Sequence, residues 1–341
     1  SVEIDVSGEK TKVSALANEK VCDLLLLNDQ DLTYAKIRFD ERSINTLKNH
    51  LGKIEDPLTR ALCWSATWDM LRDGELSATD FIEIALSGLA SEPEIATLTI
   101  ISGQLATAVE LYSNPKKRDG ARLRVGNAFE KMIATATPGG DHQLQLVKSF
   151  TSFASSAEHN DLLKDFLAGK LSGLKIDPEM RWSLVIALSE RGLLSDDQLT
   201  EQLKLDQTLT GELSYQTALA ARPTQAAKAA VWQELTTAEL STSQREAKLA
   251  GFVRPLHRPL LAAFVDPYFE LLLEIWGKKS YEVASKFVSG LYPIYLTNQE
   301  ILDKTNAWLT GVGKDGQVGL RRLVIEGKDS LERALTVQLR D

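Results

Sequence analysis

Three Asp-Pro pairs, Asp56-Pro57, Asp177-Pro178 and Asp266-Pro267, constrain what this chain can fold into more than any other feature. Each offers a carboxylate that can accept from an unpaired helical N–H. The proline that follows lacks an N–H, which costs nothing at the first helical position. Four further stretches have capping-box spacing, in which a hydroxyl and a carboxylate or amide three residues on satisfy two orphan donors reciprocally. They are Ser91-Glu92-Pro93-Glu94, Ser195-Asp196-Asp197-Gln198, Ser243-Gln244-Arg245-Glu246 and Thr297-Asn298-Gln299-Glu300. Between these starts the apolar residues recur at helical spacing, as in Phe81, Ile84, Ala85 and Gly88, or Trp182, Val185 and Ile186. Ala61, Trp64, Trp68 and Leu71 form a core stripe of the same kind. Gly88, Gly169 with Gly173, Gly192 and Pro138-Gly139-Gly140 punctuate the pattern where helices should end.

Residues 40–341 are therefore expected to form a run of helices on short loops. The Asp-Pro starts are unequally spaced, so a strict repeat does not fit. Irregular antiparallel helix pairs stacked into a curved α-solenoid or bowl, an essentially all-α and HEAT-like class, do fit. The first 39 residues read differently. Val2, Ile4 and Val6 alternate with polar residues, Ser7-Gly8 signals a turn, and Lys10 to Val13 resumes the alternation, as in a β-hairpin. Val21 to Leu27 and Leu32 to Phe39 are two more expected strands. So small a sheet leaves open edges, so 1–39 is expected to be a short β segment left from a preceding β-domain, or packed on the helices.

The 341 residues carry a net charge of −8 without a basic block, so neither nucleic acid nor a membrane surface is an expected partner. The apolar runs are short, Leu24 to Leu27 and Leu260 to Val265 among the longest, and fall far below the roughly 20 residues of a bilayer span. Cys22 and Cys63 both lie in apolar company, which suggests buried thiols and a cytoplasmic location. His50, His142, His159 and His257 are widely separated, so no zinc site, and no cofactor, is expected in this chain. His142 and His159 read as polar surface residues at helix ends. Gly311-Val312-Gly313-Lys314-Asp315-Gly316 satisfies the dinucleotide expression but follows a helix instead of a strand, so an inter-helix loop is expected. No Gly-x-Ser-x-Gly elbow occurs. Arg181, beside Trp182, and Arg258, within Arg254-Pro255-Leu256-His257-Arg258-Pro259, are cations beside rigid neighbours. A guanidinium there could grip a carboxylate through paired donors; the alternative is a solvated or structural ion pair.

The stretch from Leu24 to Asp40, reading Leu-Leu-Leu-Leu-Asn-Asp-Gln-Asp-Leu-Thr-Tyr-Ala-Lys-Ile-Arg-Phe-Asp, resembles the start of the C-terminal helical domain of the zinc aminopeptidase N family, in its actinobacterial form. Similar matches run through Glu55 to Trp64, Met180 to Leu184, Asp266 to Glu270 and Gly290 to Pro293. The resemblance covers essentially the whole chain and extends to the equivalent domain of endoplasmic-reticulum aminopeptidases. It implies a parent enzyme whose zinc sits in a separate catalytic domain. The family's His-Glu-x-x-His helix and Gly-Ala-Met-Glu-Asn loop are both absent here, so no catalytic residue is expected. The implied role is to close over the catalytic domain, an intramolecular partner, and to gate a chamber for peptide substrates. Arg181 and Arg258 would then be chamber-wall residues meeting the peptide. The competing class is a free-standing α-solenoid that binds a protein partner.

Overall fold

Asp40, which accepts from the Ser43 N–H, opens the first helix, and from there to the end the chain is helical. The structure is a computed structural model describing residues 2–341. Its helices are α1 Glu41–His50, α2 Pro57–Arg72, α3 Ala78–Leu89, α4 Ile95–Thr107, α5 Arg118–Thr135, α6 Asp141–Phe150, α7 Ala157–Leu167, α8 Pro178–Glu190 and α9 Asp196–Leu205. They continue as α10 Leu209–Ala220, α11 Gln225–Thr237, α12 Thr242–Phe252, α13 Arg258–Leu261, α14 Val265–Lys278, α15 Tyr281–Gly290, α16 Gln299–Thr310 and α17 Val318–Arg340. A π-helical turn, Ala108–Tyr112, prolongs α4.

Sequence neighbours pair, as in α5 with α6, α7 with α8, α9 with α10 and α11 with α12. Alternate helices also stack, α4 on α6, α6 on α8, α8 on α10 and α10 on α12, so the middle of the chain is a two-layer array of helical hairpins. One large core gathers residues from Phe39 to Leu188, and a second runs from Ala220 to Leu331. Trp182, Val185, Leu199 and Ala218 fill the space between. The last helix doubles back, burying Ala334 and Val337 in the first core. Arg333 pairs with Asp73 at 3.0 Å, and the Asp341 carboxylate accepts from the N–H groups of Thr79 (2.7 Å) and Asn114 (3.0 Å).

Asp56 and Asp177 cap their helices as expected, accepting from Thr59 and Met180, and Ser195 with Gln198 forms a reciprocal capping box. Other expected starts move. A 3-10 turn, Ala262–Phe264, feeds straight into α14, so no extended residue precedes it and Asp266 falls inside the first turn, paired with Lys304. The second capping box is Ser241 with Gln244, not Ser243 with Glu246. Asn298 caps α16, because the Thr297 hydroxyl turns back to the Ile294 carbonyl at 2.6 Å. At Ser91 to Glu94 the box is lost altogether. Glu92 is drawn inside to pair with Arg60 at 3.2 Å, so α4 begins a turn later without a side-chain cap.

The expected β segment is corrected. Among the described residues no strand forms before Asp40; the chain runs extended, interrupted by 3-10 turns at Ser14–Leu16 and Asp29–Asp31. The turn at Gly8 exists, with Ser7 and Thr11 hydrogen-bonded across it, but a two-strand ribbon without a third strand is marginal. The four consecutive leucines Leu24 to Leu27 are divided between core and solvent. Leu24 and Leu26 lean on the first core while Leu25 and Leu27 face solvent, and the backbone is held by Ser43, which accepts from the Leu25 N–H at 3.0 Å.

Gly88, expected to end a helix, lies inside α3, where an added Cβ would stand 2.6 Å from the buried Trp64 indole and 3.1 Å from Leu51. Gly88→Ala is accordingly expected to destabilise the chain by about 2 kcal/mol, since neither the ring nor the helix can withdraw. Urea denaturation of the variant checks this. Gly173, at φ +79°, meets the expectation for a loop glycine: a Cβ there would come 2.3 Å from the Gly139 nitrogen.

The segment Ile95–Tyr112 is long and apolar enough to cross a membrane by length and composition. This departs from the expectation that no run reaches that length. Leu98, Ile101, Leu105, Ala108 and Val109 of this segment are all buried in the first core, as befits a helix of a folded interior.

Candidate functional site

Glu110 is the sole charged residue of that apolar segment, and burying it obliges the fold to supply partners. The π-helical turn presents its carboxylate to two arginines from distant parts of the chain. Arg122 of α5 donates to both oxygens, Nε at 2.7 Å and Nη2 at 3.0 Å, in a two-pronged contact. Arg258, at the start of α13, donates from Nη2 to Oε2 at 2.9 Å and also to the Glu110 carbonyl. Burial pushes the Glu110 carboxyl up, but the Arg122 hydrogen bonds and charge, joined by those of Arg258, outweigh it and hold the group below its ordinary range. Arg258 further donates to the carbonyls of Tyr295 and Pro255, both at 2.7 Å, and lies over the Tyr295 ring.

The residues just before Arg258 complete a crossing between the two cores. His257 is buried, its Nε2 2.7 Å from the Glu190 carbonyl, and burial followed by the Lys228 charge lowers its pKa. Arg191 donates to the carbonyls of Ala154, Thr151 and Ala187. Lys228, fully buried, donates to the carbonyls of Ala220, Gly251 and Phe252 at 2.8 to 3.0 Å. The junction is thus cationic, although the chain as a whole is acidic.

Of the two residues singled out in sequence, Arg258 is therefore a brace whose donors the protein already engages. Arg181, in the first turn of α8, is half-buried and makes one long contact, Nη1 to Gln202 Oε1 at 3.4 Å. The two share no hydrogen-bond partner. Glu110 and Lys228 went unremarked in the sequence, though a lone carboxylate in an apolar helix was a usable signal for the first.

Two hollows offer no alternative centre. A broad one of about 740 Å³ is lined by Asp23, Asp40, Glu41, Arg42 and His50, but Asp40 is spent capping α1 and Asp23 is paired with Arg42. An aromatic recess between Trp232, Phe252, Phe264, Tyr292 and Tyr295 leaves about 30 Å³, the room of a water molecule.

Among the described residues no three His, Cys, Asp or Glu side chains converge as a metal would require. His159, expected at the surface, is buried against Phe150, and the Ser155 N–H donates to its Nδ1 at 3.2 Å. Cys63 is buried, its thiol pushed up to about 12 by desolvation, whereas Cys22 is exposed because its stretch runs along the surface, contrary to expectation. These residues do not fit a zinc ion. The Gly311 to Gly316 loop joins α16 to α17 as expected, with Arg321 donating to the Gly313 carbonyl at 2.6 Å.

The class so defined is an all-α array of stacked helical hairpins in which a cluster of buried polar groups around Glu110, Arg258 and Lys228 joins its two cores. The chain belongs to the ERAP1-like C-terminal domain family, which it matches over residues 24–333. It is also 39% identical, over its whole length, to "Aminopeptidase N" of Streptomyces lividans. It spans 40% of that relative's length.

Proposed function

We propose that this chain serves as the non-catalytic C-terminal domain of a zinc-dependent aminopeptidase N, closing over a catalytic domain to form and gate the chamber in which N-terminal residues are removed from peptides. The observation that carries the reading is the 39% identity, over the whole of this chain, to part of an aminopeptidase N. Lid closure of this kind restricts water and commits the substrate without contributing a reacting group. The exposed apolar residues Val2, Ile4, Val6 and Tyr34 suit burial against the preceding part of such an enzyme.

Within this proposal Arg181 is the wall residue, since most of its donors remain available, and Arg258 is a positioning residue that sets the wall through Glu110 and Tyr295. In the full-length enzyme, Arg181→Ala is expected to raise KM for peptides with a free C-terminal carboxylate roughly three- to tenfold. It should leave kcat, and the KM of the same peptides as C-terminal amides, unchanged. Equal KM values for wild type and variant on the free acids would remove Arg181 from the wall. The 341-residue chain alone, given zinc and an aminoacyl arylamide, is expected to show no turnover, and robust turnover would overturn the reading.

A further inference from the structure

Arg254 is the anomaly of the cationic junction. Every cation around it is used: Arg258 and Arg122 on Glu110, Arg191 and Lys228 on backbone carbonyls. The Arg254 side chain makes no hydrogen bond or ion pair among the described residues, and its Nε is sealed from solvent without a partner. The Glu190 carboxylate approaches Arg191 at 3.6 Å, and the Glu190 carbonyl lies 2.7 Å from His257 Nε2. Arg254 also lies close enough to Arg191, Lys228 and His257 for its charge to disfavour theirs. A buried or half-buried guanidinium with unmade hydrogen bonds and like-charged neighbours is unfavourable on both counts. The residue as a whole is half-buried, and only its Nε, not its Nη groups, is sealed, so a solute can reach the outer edge of the guanidinium.

We propose that Arg254 is an anion-binding residue, taking a small oxyanion at the junction between the two cores. Two oxygens on one centre match the parallel N–H groups of a guanidinium, which a single-atom anion cannot do. Carboxylate and phosphate share that chemistry. The bound anion would offset the charge of Arg254 and of Arg191 beside it, and would thereby tie the Arg254 to Arg258 crossing to the ends of α8 and α12. The inference rests on this chain alone and holds whatever the parent enzyme does.

The test is thermal unfolding of the 341-residue chain in inorganic phosphate, in acetate and in chloride at matched ionic strength, with calorimetric titration of phosphate as a second measurement. Phosphate is expected to raise Tm by about 2 to 4 °C over chloride, and a comparable rise in acetate would assign the site to carboxylates as well. Arg254→Met is expected to abolish that increment and the heat of phosphate binding. Its Tm in chloride should be unchanged or higher, because it removes a repulsive charge that bonds nothing. Arg254→Lys, which keeps the charge but not the fork, should lose most of the increment. An anion effect of equal size in Arg254→Met would overturn the proposal. So would a drop of Tm in chloride, which would make Arg254 a structural residue instead.

Discussion

Glu110→Gln is expected to lower the stability of the chain by about 3 to 5 kcal/mol, the range for breaking a buried ion pair by removing one partner. The amide can still accept from one arginine, but it leaves the buried Arg122 with only the exposed Asp119 as a counter-charge and the half-buried Arg258 with none among the described residues. The damage should not be confined to one core. Glu110 belongs to the first and Arg258 to the crossing from the second, so the urea transition of the variant is expected to be broader than that of the wild type or split, with a lower m-value. The pH dependence has a fixed sign. The Glu110 carboxyl is held below its ordinary value, so its contribution is complete above the unfolded pKa of about 4.3 and is lost as pH falls through the folded value. The stability gap between wild type and Glu110→Gln should therefore be constant at neutral pH and close in acid. A gap below 1 kcal/mol at pH 7 would show that the arginines find other acceptors, and the Glu110 contact would not be what joins the cores.

The features legible in the sequence are those whose partner lies within one turn. Asp56, Asp177 and Ser195 could be read as caps because the N–H each accepts from is three residues away. The same logic failed where a distant group competed for the residue. Ser91 to Glu94 have the spacing of a capping box, yet the Ser91 hydroxyl donates to the Gly52 and Gly88 carbonyls instead, and Arg60 draws the intervening Glu92 inward with a buried charge, which is worth more than an exposed backbone contact. Gly88 reads as a helix stop, and only the position of Trp64, brought against it by packing, shows that it is a clearance. The extended segment shows the limit from the other side. The apolar stretch Val21 to Leu27 reads as extended chain, but four consecutive leucines do not say which of them face inward, and whether such a stretch gains a strand partner depends on chain that the pattern does not specify. The junction was the least legible part. Arg258 attracted notice because of its neighbours, yet its acceptors, Glu110 and Tyr295, lie 148 and 37 residues away.

Lys228→Met tests how the second core is tied to the array. Lys228 sits in an alanine-rich helix face that gives no hint of a buried charge, but its Nζ reaches the C-terminal carbonyls of α10 and α12 at once. Those are the ends at which a helix leaves its carbonyls unpaired and where its dipole favours a cation. Methionine matches the length and apolar stem but has no donor, so three buried carbonyls lose their partner and the expected cost is about 3 kcal/mol at pH 7. Removing the ammonium also removes its desolvation, and the pH dependence separates the two effects. Burial, and after it the Arg254 charge, bring the Lys228 pKa down to about 7. Between that value and the unfolded pKa of about 10.4 the unfolded chain holds more protons than the folded one, so wild-type stability rises with pH through this window. Methionine cannot titrate, so the gap between wild type and Lys228→Met should widen by about 1.4 kcal/mol for each pH unit above 7 and stay level below it. Should the Lys228→Met gap be flat from pH 7 to 9.5, the lysine is charged throughout and its three carbonyls, not its burial, set its proton affinity.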